Sequence, residues 1–155
     1  MQVLNVQTIT GHSNIAIIIS RYHHDITQKL LVGTVARLVE LGFDEDSITE
    51  AWVPGAIEIP ITAQRLAKTE KYEAIICLGA VIYGETKHFD YVCNQVSHGC
   101  QQVALTHDIP VIFGVLTTDT LHQAHERTGG SKGHMGRQAA DAAFELISVL
   151  RQIHS

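Results

Sequence analysis

The stretch at residues 14–20, "NIAIIIS", is a continuous run of isoleucine and alanine. A run without polar alternation is typical of a strand that is buried on both faces of a parallel sheet. A helical pattern follows over residues 24–41 and ends at Gly42, a residue type that commonly ends helices. This stretch therefore predicts a parallel α/β sheet rather than an antiparallel sheet with one face in water.

The same succession of strand and helix recurs about every thirty residues, which is the span of a βαβ crossover. Three further strands are predicted at residues 47–54 ("SITEAWVP"), 74–82 ("AIICLGAVI") and 110–117 ("PVIFGVLT"). Helices are predicted up to residue 67, over 87–106 and over 137–153, with the short segment "TLHQAHER" at 120–127. The pattern predicts one domain, residues 1–155, with helices on both faces of the sheet.

Composition restricts the partners of the chain. Apolar residues make up 45% and charged residues 17% of the 155, so the surface is sparsely charged and an oligomer is expected. The formal charge of −5 and the lack of a lysine or arginine run argue against nucleic acid or membrane as a partner. Three cysteines, no export signal and no apolar run of membrane-spanning length indicate reduced thiols and a cytoplasmic protein.

The helix predicted after the third strand has one apolar face at three- and four-residue spacing. That face consists of Phe89, Val92, Cys93, Val96, Cys100, Val103 and Ala104. If Thr86 caps this helix, His88 lies in its first turn, at the carboxyl end of a strand. Open parallel sheets bind their ligands at that edge.

Two readings are open for each polar residue at this helix start. The segment at 84–86, "GET", presents backbone N–H groups that favour an anion such as phosphate, or it is an ordinary turn. His88 is a general acid or base, or one of ten histidines exposed to solvent. Arg127 binds phosphate with two hydrogen bonds, or it is a surface arginine.

Other kinds of chemistry find little support in the sequence. His122 and His125 are three residues apart and His23 and His24 are adjacent, but no carboxylate set accompanies them, so no metal is expected. The glycine-rich segment at 128–136, "TGGSKGHMG", lacks the spacing of a nucleotide-binding P-loop. No serine or cysteine nucleophile stands in a recognisable catalytic motif.

Four segments, in order, resemble lumazine synthases over nearly the whole chain. They are "SRYHHDIT" (20–27), "AWVPGAIEIP" (51–60), "GAVIYGETKHFDYVCN" (79–94) and "PVIFGVLTTDTLHQAHERTGG" (110–130). The resemblance implies a flavodoxin-like three-layer α/β/α sandwich with a central parallel four-stranded sheet. It also implies a short N-terminal strand, at residues 2–9, that pairs with a neighbouring subunit.

The activity that the resemblance implies is a cofactor-free condensation in riboflavin biosynthesis. An aminopyrimidine, 5-amino-6-(D-ribitylamino)uracil, reacts with 3,4-dihydroxy-2-butanone 4-phosphate to give 6,7-dimethyl-8-ribityllumazine. By similarity, His88 transfers protons, and Phe113 enters the site from the neighbouring subunit. The implied substrate-binding residues are Tyr22, Ala56, Ile57, Glu58, Ala80, Val81, Ile82 and Phe113, and the implied phosphate-binding residues are Glu85, Thr86 and Arg127.

The chain departs from the family pattern at several positions. His23 stands in place of a frequent asparagine, and Tyr83 in place of a common arginine. Met135 stands where the family has a lysine, and the nearby lysine is Lys132, three residues earlier. Replacement of the missing cation by Lys132 or by Lys87, or no replacement at all, is an open alternative.

The resemblance also implies an assembly. Family members form pentamers, and some build sixty-subunit shells; the short loop between Arg127 and the last helix is similar to that of the shell formers. A rival interpretation is a non-catalytic protein that binds lumazine or flavin, or only forms a shell. The presence of His88, Glu58 and Arg127 favours the enzyme, whereas Met135 favours the rival.

Overall fold

The computed structural model describes residues 1–9 and 11–153. Its centre is a parallel four-stranded sheet in the order β2-β1-β3-β4, which matches the first four strands of the flavodoxin-like order. The strands are β1 (Ile15–Ser20), β2 (Ile48–Val53), β3 (Ala74–Ile82) and β4 (Val111–Thr118), and a hairpin of β5 (Thr128–Gly130) and β6 (Gly133–His134) lies apart from them. The helices are α1 (His24–Glu40), α2 (Ile59–Lys68), α3 (His88–His107), α4 (Leu121–Glu126) and α5 (Met135–Arg151), and short 3-10 turns occupy Glu45–Ser47 and Ala56–Glu58.

Two hydrophobic cores lie on opposite faces of the sheet. Alternate residues of β1 serve each core: Ile17 faces α1 and α5, whereas Ile18 faces α2 and α3. This explains why β1 is buried at every position and why its sequence shows no polar alternation. The predicted three-layer α/β/α sandwich is confirmed. None of the described helices is long and apolar enough to cross a membrane.

The α1–α5 pair is the closest helix packing on the first face. A methyl group added at Gly136 would lie 2.2 Å from the Leu30 carbonyl oxygen, and one added at Gly33 would lie 2.1 Å from the His134 ring. The buried Thr34 hydroxyl donates to the Leu30 carbonyl (2.8 Å) and lies 3.0 Å from that of Gly136. Small side chains therefore allow the two backbones to approach and fix the start of α5.

Several element boundaries differ from the sequence prediction. Lys87, not Thr86, is the N-cap of α3, although the Thr86 hydroxyl accepts the His88 N–H at 3.3 Å. The last helix begins two residues earlier than expected, because Nδ1 of His134 accepts the Gly136 N–H at 3.1 Å and caps it. The glycine-rich loop before it folds into the hairpin of β5 and β6.

Residues 1–9 form no strand in the described chain. They lie along α5 instead: Gln7 exchanges hydrogen bonds with the Ser148 hydroxyl (2.7 and 3.0 Å), and the Gln152 amide donates to the Asn5 carbonyl (2.6 Å). The pairing with a neighbouring subunit involves a second copy and stays a prediction. The predicted domain, residues 1–155, also includes residues 10 and 154–155, which lie outside the described residues.

Candidate active site

A cavity of about 520 Å³ opens at the carboxyl ends of β1 and β3. It lies between the loop after β1, the 3-10 turn before α2 and the first turn of α3. Nine of the twelve residues singled out by the resemblance line it: Tyr22, Ala56, Ile57, Glu58, Ala80, Val81, Ile82, Thr86 and His88. The fold thus brings three segments that are far apart in sequence to one edge of the sheet, where parallel sheets bind ligands.

The end of β3 presents unpaired backbone groups to this cavity. Pairing of β3 with β1 ends at Leu78, whereas pairing with β4 continues to Ile82. Alternate residues of a parallel strand direct their N–H and C=O groups to opposite neighbours, and the Tyr83 N–H bonds to the Thr118 carbonyl of β4. Ala80 therefore directs its N–H and C=O to the side where β1 has ended, and the same holds for Ile82. Such groups suit a planar ring that carries both donors and acceptors.

Tyr22 is held at the cavity by its backbone. Its N–H donates to the Pro54 carbonyl at 3.1 Å, and the Arg21 N–H donates to that of Val53 at 2.8 Å, so the β1–β2 ladder continues into the loop. The Tyr22 side chain is 70% exposed and meets the His23 ring edge to face, with 4.6 Å between ring centroids. An aromatic face open to the cavity is suited to stacking on a flat ligand.

Glu58 closes the 3-10 turn that precedes α2. Its Oε2 accepts the Gly55 N–H at 3.1 Å, which fixes the carboxylate at the cavity wall. Oε1 makes no hydrogen bond to any other described residue, so it is free to accept one from a ligand hydroxyl. Ala56 and Ile57 of the same turn also line the cavity and give this wall an apolar part.

The start of α3 forms the opposite wall. His88 is exposed, lines the cavity and is the first residue of the helix. The N–H groups of Glu85 and Thr86 donate to no acceptor among the described residues, and they precede a helix of 20 residues whose dipole favours an anion at this end. The helix start can therefore hold an anion next to an imidazole that can exchange protons.

Three of the twelve residues do not line the cavity of the single chain. Glu85 lies beside it on the loop between Gly84 and Thr86, which both line it. Phe113 is the third residue of the edge strand β4, opposite Cys77, and is 39% exposed. Arg127 follows α4; its Nη1 donates to the Gln123 carbonyl at 2.9 Å.

The open alternatives for the missing lysine also lie away from this cavity. Neither Lys87 nor Lys132 is among the described residues that line it, although both are exposed. Met135 packs against the core shared by α1 and α5, so it presents no cation at that position.

Six cavity residues had no substrate-binding or catalytic role assigned from the sequence: His23, Gly55, Tyr83, Gly84, Phe89 and Val92. All six lie within the quoted motifs, and their place in those motifs is the signal that the sequence offered. Phe89 and Val92 were predicted only as part of the apolar face of the helix, and they bridge that face and the cavity.

Comparisons with known proteins agree with the resemblance carried by the four motifs. A sequence profile described as 6,7-dimethyl-8-ribityllumazine synthase matches residues 12–151. The 6,7-dimethyl-8-ribityllumazine synthases of Coxiella burnetii strains CbuG_Q212 and RSA 493 / Nine Mile phase I are each 53% identical to this chain over 139 residues. Each of these alignments covers 90% of this chain and 92% of the relative. The chain belongs to the 6,7-dimethyl-8-ribityllumazine synthase family.

Proposed function

We propose that the protein is a transferase that condenses 5-amino-6-(D-ribitylamino)uracil with 3,4-dihydroxy-2-butanone 4-phosphate. The product is 6,7-dimethyl-8-ribityllumazine, the compound in the name of the family and of the Coxiella burnetii relatives. One observation carries the proposal: a single cavity joins the unpaired backbone of β3 to a helix start that holds His88. The reaction is one of orientation and proton transfer, and it uses no cofactor.

The pyrimidine end of the cavity is assigned to β3 and the loop after β1. Ala80 and Ile82 offer N–H and C=O groups to the ring, and Tyr22 stacks on its face. Glu58 accepts hydrogen bonds from the ribityl hydroxyls through its free Oε1. Ala56, Ile57 and Val81 supply the contacts that exclude water from the ring. These contacts hold the 5-amino group towards the start of α3.

The butanone phosphate is assigned to the start of α3. Its phosphate lies on the backbone N–H groups of Glu85 and Thr86, with Arg127 as the cation. The 5-amino group attacks the ketone, and loss of water gives an imine; inorganic phosphate then leaves, and ring closure releases a second water. His88 donates and removes the protons that these steps require.

The complete site is proposed to form between subunits of a pentamer, with a sixty-subunit shell as the larger assembly. Phe113 is exposed on an edge strand away from its own chain's cavity, which supports a role in a neighbour's site. Residues 2–9 present exposed apolar side chains, including Val3 and Val6, which suit pairing with a neighbouring sheet. We propose that the whole chain acts as one such domain in the cytoplasm, without nucleic acid or membrane as a partner.

The test is formation of the lumazine, followed by its absorbance, when purified protein meets both substrates near neutral pH. A rate above the uncatalysed background that requires the butanone phosphate supports the synthase. Absence of acceleration, with the lumazine still bound, would reject catalysis and favour the non-catalytic binding or shell protein. Met135 packs against the core at the position where the family has a lysine. Met135→Lys would then be the first variant to make.

A further inference from the structure

His23 occupies an unusual position at the cavity. It is the N-cap of α1 and has a left-handed backbone (φ 57°, ψ 53°), a conformation that few residues other than glycine, asparagine and aspartate adopt easily. Its carbonyl accepts the N–H groups of Ile26 and Thr27, so its backbone starts the helix. The backbone geometry turns the imidazole into the cavity, of which it is a lining residue.

The imidazole of His23 is not used by the fold. It makes no hydrogen bond to any described residue and does not cap α1. Among the described residues it packs edge to face on the Tyr22 ring. Burial lowers the pKa of His23, so the ring is neutral near pH 7 and presents one donor and one acceptor to the cavity. The neighbouring His24 differs. It is exposed, stacks on Trp52 with 5.5 Å between ring centroids, and does not line the cavity.

We propose that His23 is a substrate-contacting residue that hydrogen-bonds the aminopyrimidine where that ring stacks on Tyr22. The inference rests on the proposed function, because it takes the pyrimidine as the ligand at this end of the cavity. A pyrimidinedione carries ring N–H donors and carbonyl acceptors, which match the two nitrogens of a neutral imidazole. The half-buried imidazole has no hydrogen-bond partner among the described residues. Binding a ligand therefore costs little free energy, because no internal hydrogen bond has to be broken.

The test compares His23→Gly and His23→Asn, two changes that keep the left-handed backbone without strain. His23→Gly removes the polar group. We expect the affinity for 6,7-dimethyl-8-ribityllumazine to fall, and the KM for the aminopyrimidine to rise, by about threefold to tenfold. His23→Asn restores a donor and an acceptor, so it should recover much of that loss. The KM for the butanone phosphate should stay unchanged in both. His24→Gln is the matched control.

Lumazine affinity is measured by equilibrium titration, so the inference is tested apart from catalysis. Equal lumazine affinities in wild type and His23→Gly would overturn the inference while leaving the synthase proposal intact. An equal rise in KM for both substrates would also overturn it, because it would indicate a general distortion of the cavity. A wild type that catalyses nothing but loses lumazine affinity in His23→Gly would reject only the proposed reaction.

Discussion

At the residue scale, His88 is the group that we propose for proton transfer. It is exposed in the first turn of α3, and its backbone N–H donates a hydrogen bond to the Thr86 hydroxyl. We expect His88→Ala to lower kcat about a hundredfold to ten-thousandfold, because positioned acid–base catalysis contributes that much. Turnover should not vanish, since the cavity still orients both substrates. Steady-state kinetics of lumazine formation measure the change.

The control for this prediction lies on the same helix. His98 is exposed on α3 and is not one of the cavity residues, so His98→Ala should keep the wild-type kcat. The affinity for the lumazine should also survive His88→Ala, because the proposed contacts to the ring come from β3 and Tyr22. A His88→Ala protein with wild-type kcat would remove His88 from the mechanism.

Arg127 carries a separate prediction about the phosphate. A hydrogen bond to a charged group contributes about 1.5–3 kcal/mol, so we expect Arg127→Ala to raise the KM for the butanone phosphate about tenfold to hundredfold. kcat at saturation should change far less. Arg65→Ala, on the exposed side of α2, is the matched control. Identical saturation curves for wild type and Arg127→Ala would contradict the assignment.

At the element scale, the α1–α5 contact governs stability near the site. A methyl group at Gly136 would meet the backbone carbonyl of Leu30 at 2.2 Å, and a backbone atom cannot rotate away as a side chain can. We expect Gly136→Ala to lower the free energy of unfolding by about 1–3 kcal/mol or more. Urea denaturation at matched protein concentration measures it. Gly84→Ala, with open space at its Cβ, should unfold near the wild-type midpoint, and equal midpoints for the two variants would refute the clash.

The cap of α5 should make stability depend on pH. Burial, and then the charge of Arg137, lower the pKa of His134 below its ordinary value of 6.5. The unfolded chain therefore binds more protons than the folded one, so the stabilisation is complete above pH 6.5 and declines as pH falls through the folded pKa. Asparagine caps helices without titrating, so His134→Asn should flatten this decline. A residual slope is expected, because burial lowers the pKa of His23 as well.

The measurement is the free energy of unfolding of both proteins at about pH 7.5 and about pH 5.5, on either side of the ordinary histidine pKa. The loss between the two should be larger in wild type than in His134→Asn. Parallel losses would show that protonation of His134 does not weaken the cap.

The elements differ in how well the sequence predicts them. β3 is found over the predicted residues, Ala74–Ile82, because burial on both faces requires an unbroken apolar run. The start of α5 was missed because its cap is a histidine, and the hydrogen bond of His134 depends on the ring approaching α1. The 3-10 turn Ala56–Glu58 was also not predicted, because its shape depends on the hydrogen bond from the Gly55 N–H to the Glu58 carboxylate.

The same distinction applies to the cavity. Its residues on β3 and α3 were placed by motif and by the rule that parallel sheets bind ligands at their carboxyl edge. His23 was passed over as a site residue because nothing in its sequence context reveals a left-handed backbone. Sequence therefore predicted where the cavity lies, whereas the orientation of its side chains depends on contacts between distant segments.

At the scale of the whole molecule, the distribution of the proposed site residues supports the proposal that one chain is an incomplete enzyme. Phe113 pairs with Cys77 in the middle of β3, whereas the cavity lies at the carboxyl end of the same strand. Within one chain the aromatic side chain stays on the exposed edge strand. A neighbouring subunit packed with its β4 edge against this cavity would complete the site and cover that edge.

Mixed assemblies test this arrangement directly. Phe113→Ala and His88→Ala should each be impaired alone, because each damages every site of a uniform oligomer. If Phe113 acts in the neighbour's site, random co-assembly of equal amounts leaves about a quarter of the sites with both residues intact. Co-expressed chains should then regain about a quarter of wild-type activity, whereas mixing the separately assembled proteins should add nothing. If Phe113 served its own chain's site, every site would carry one defect, and co-expression would give only the average of the two variants.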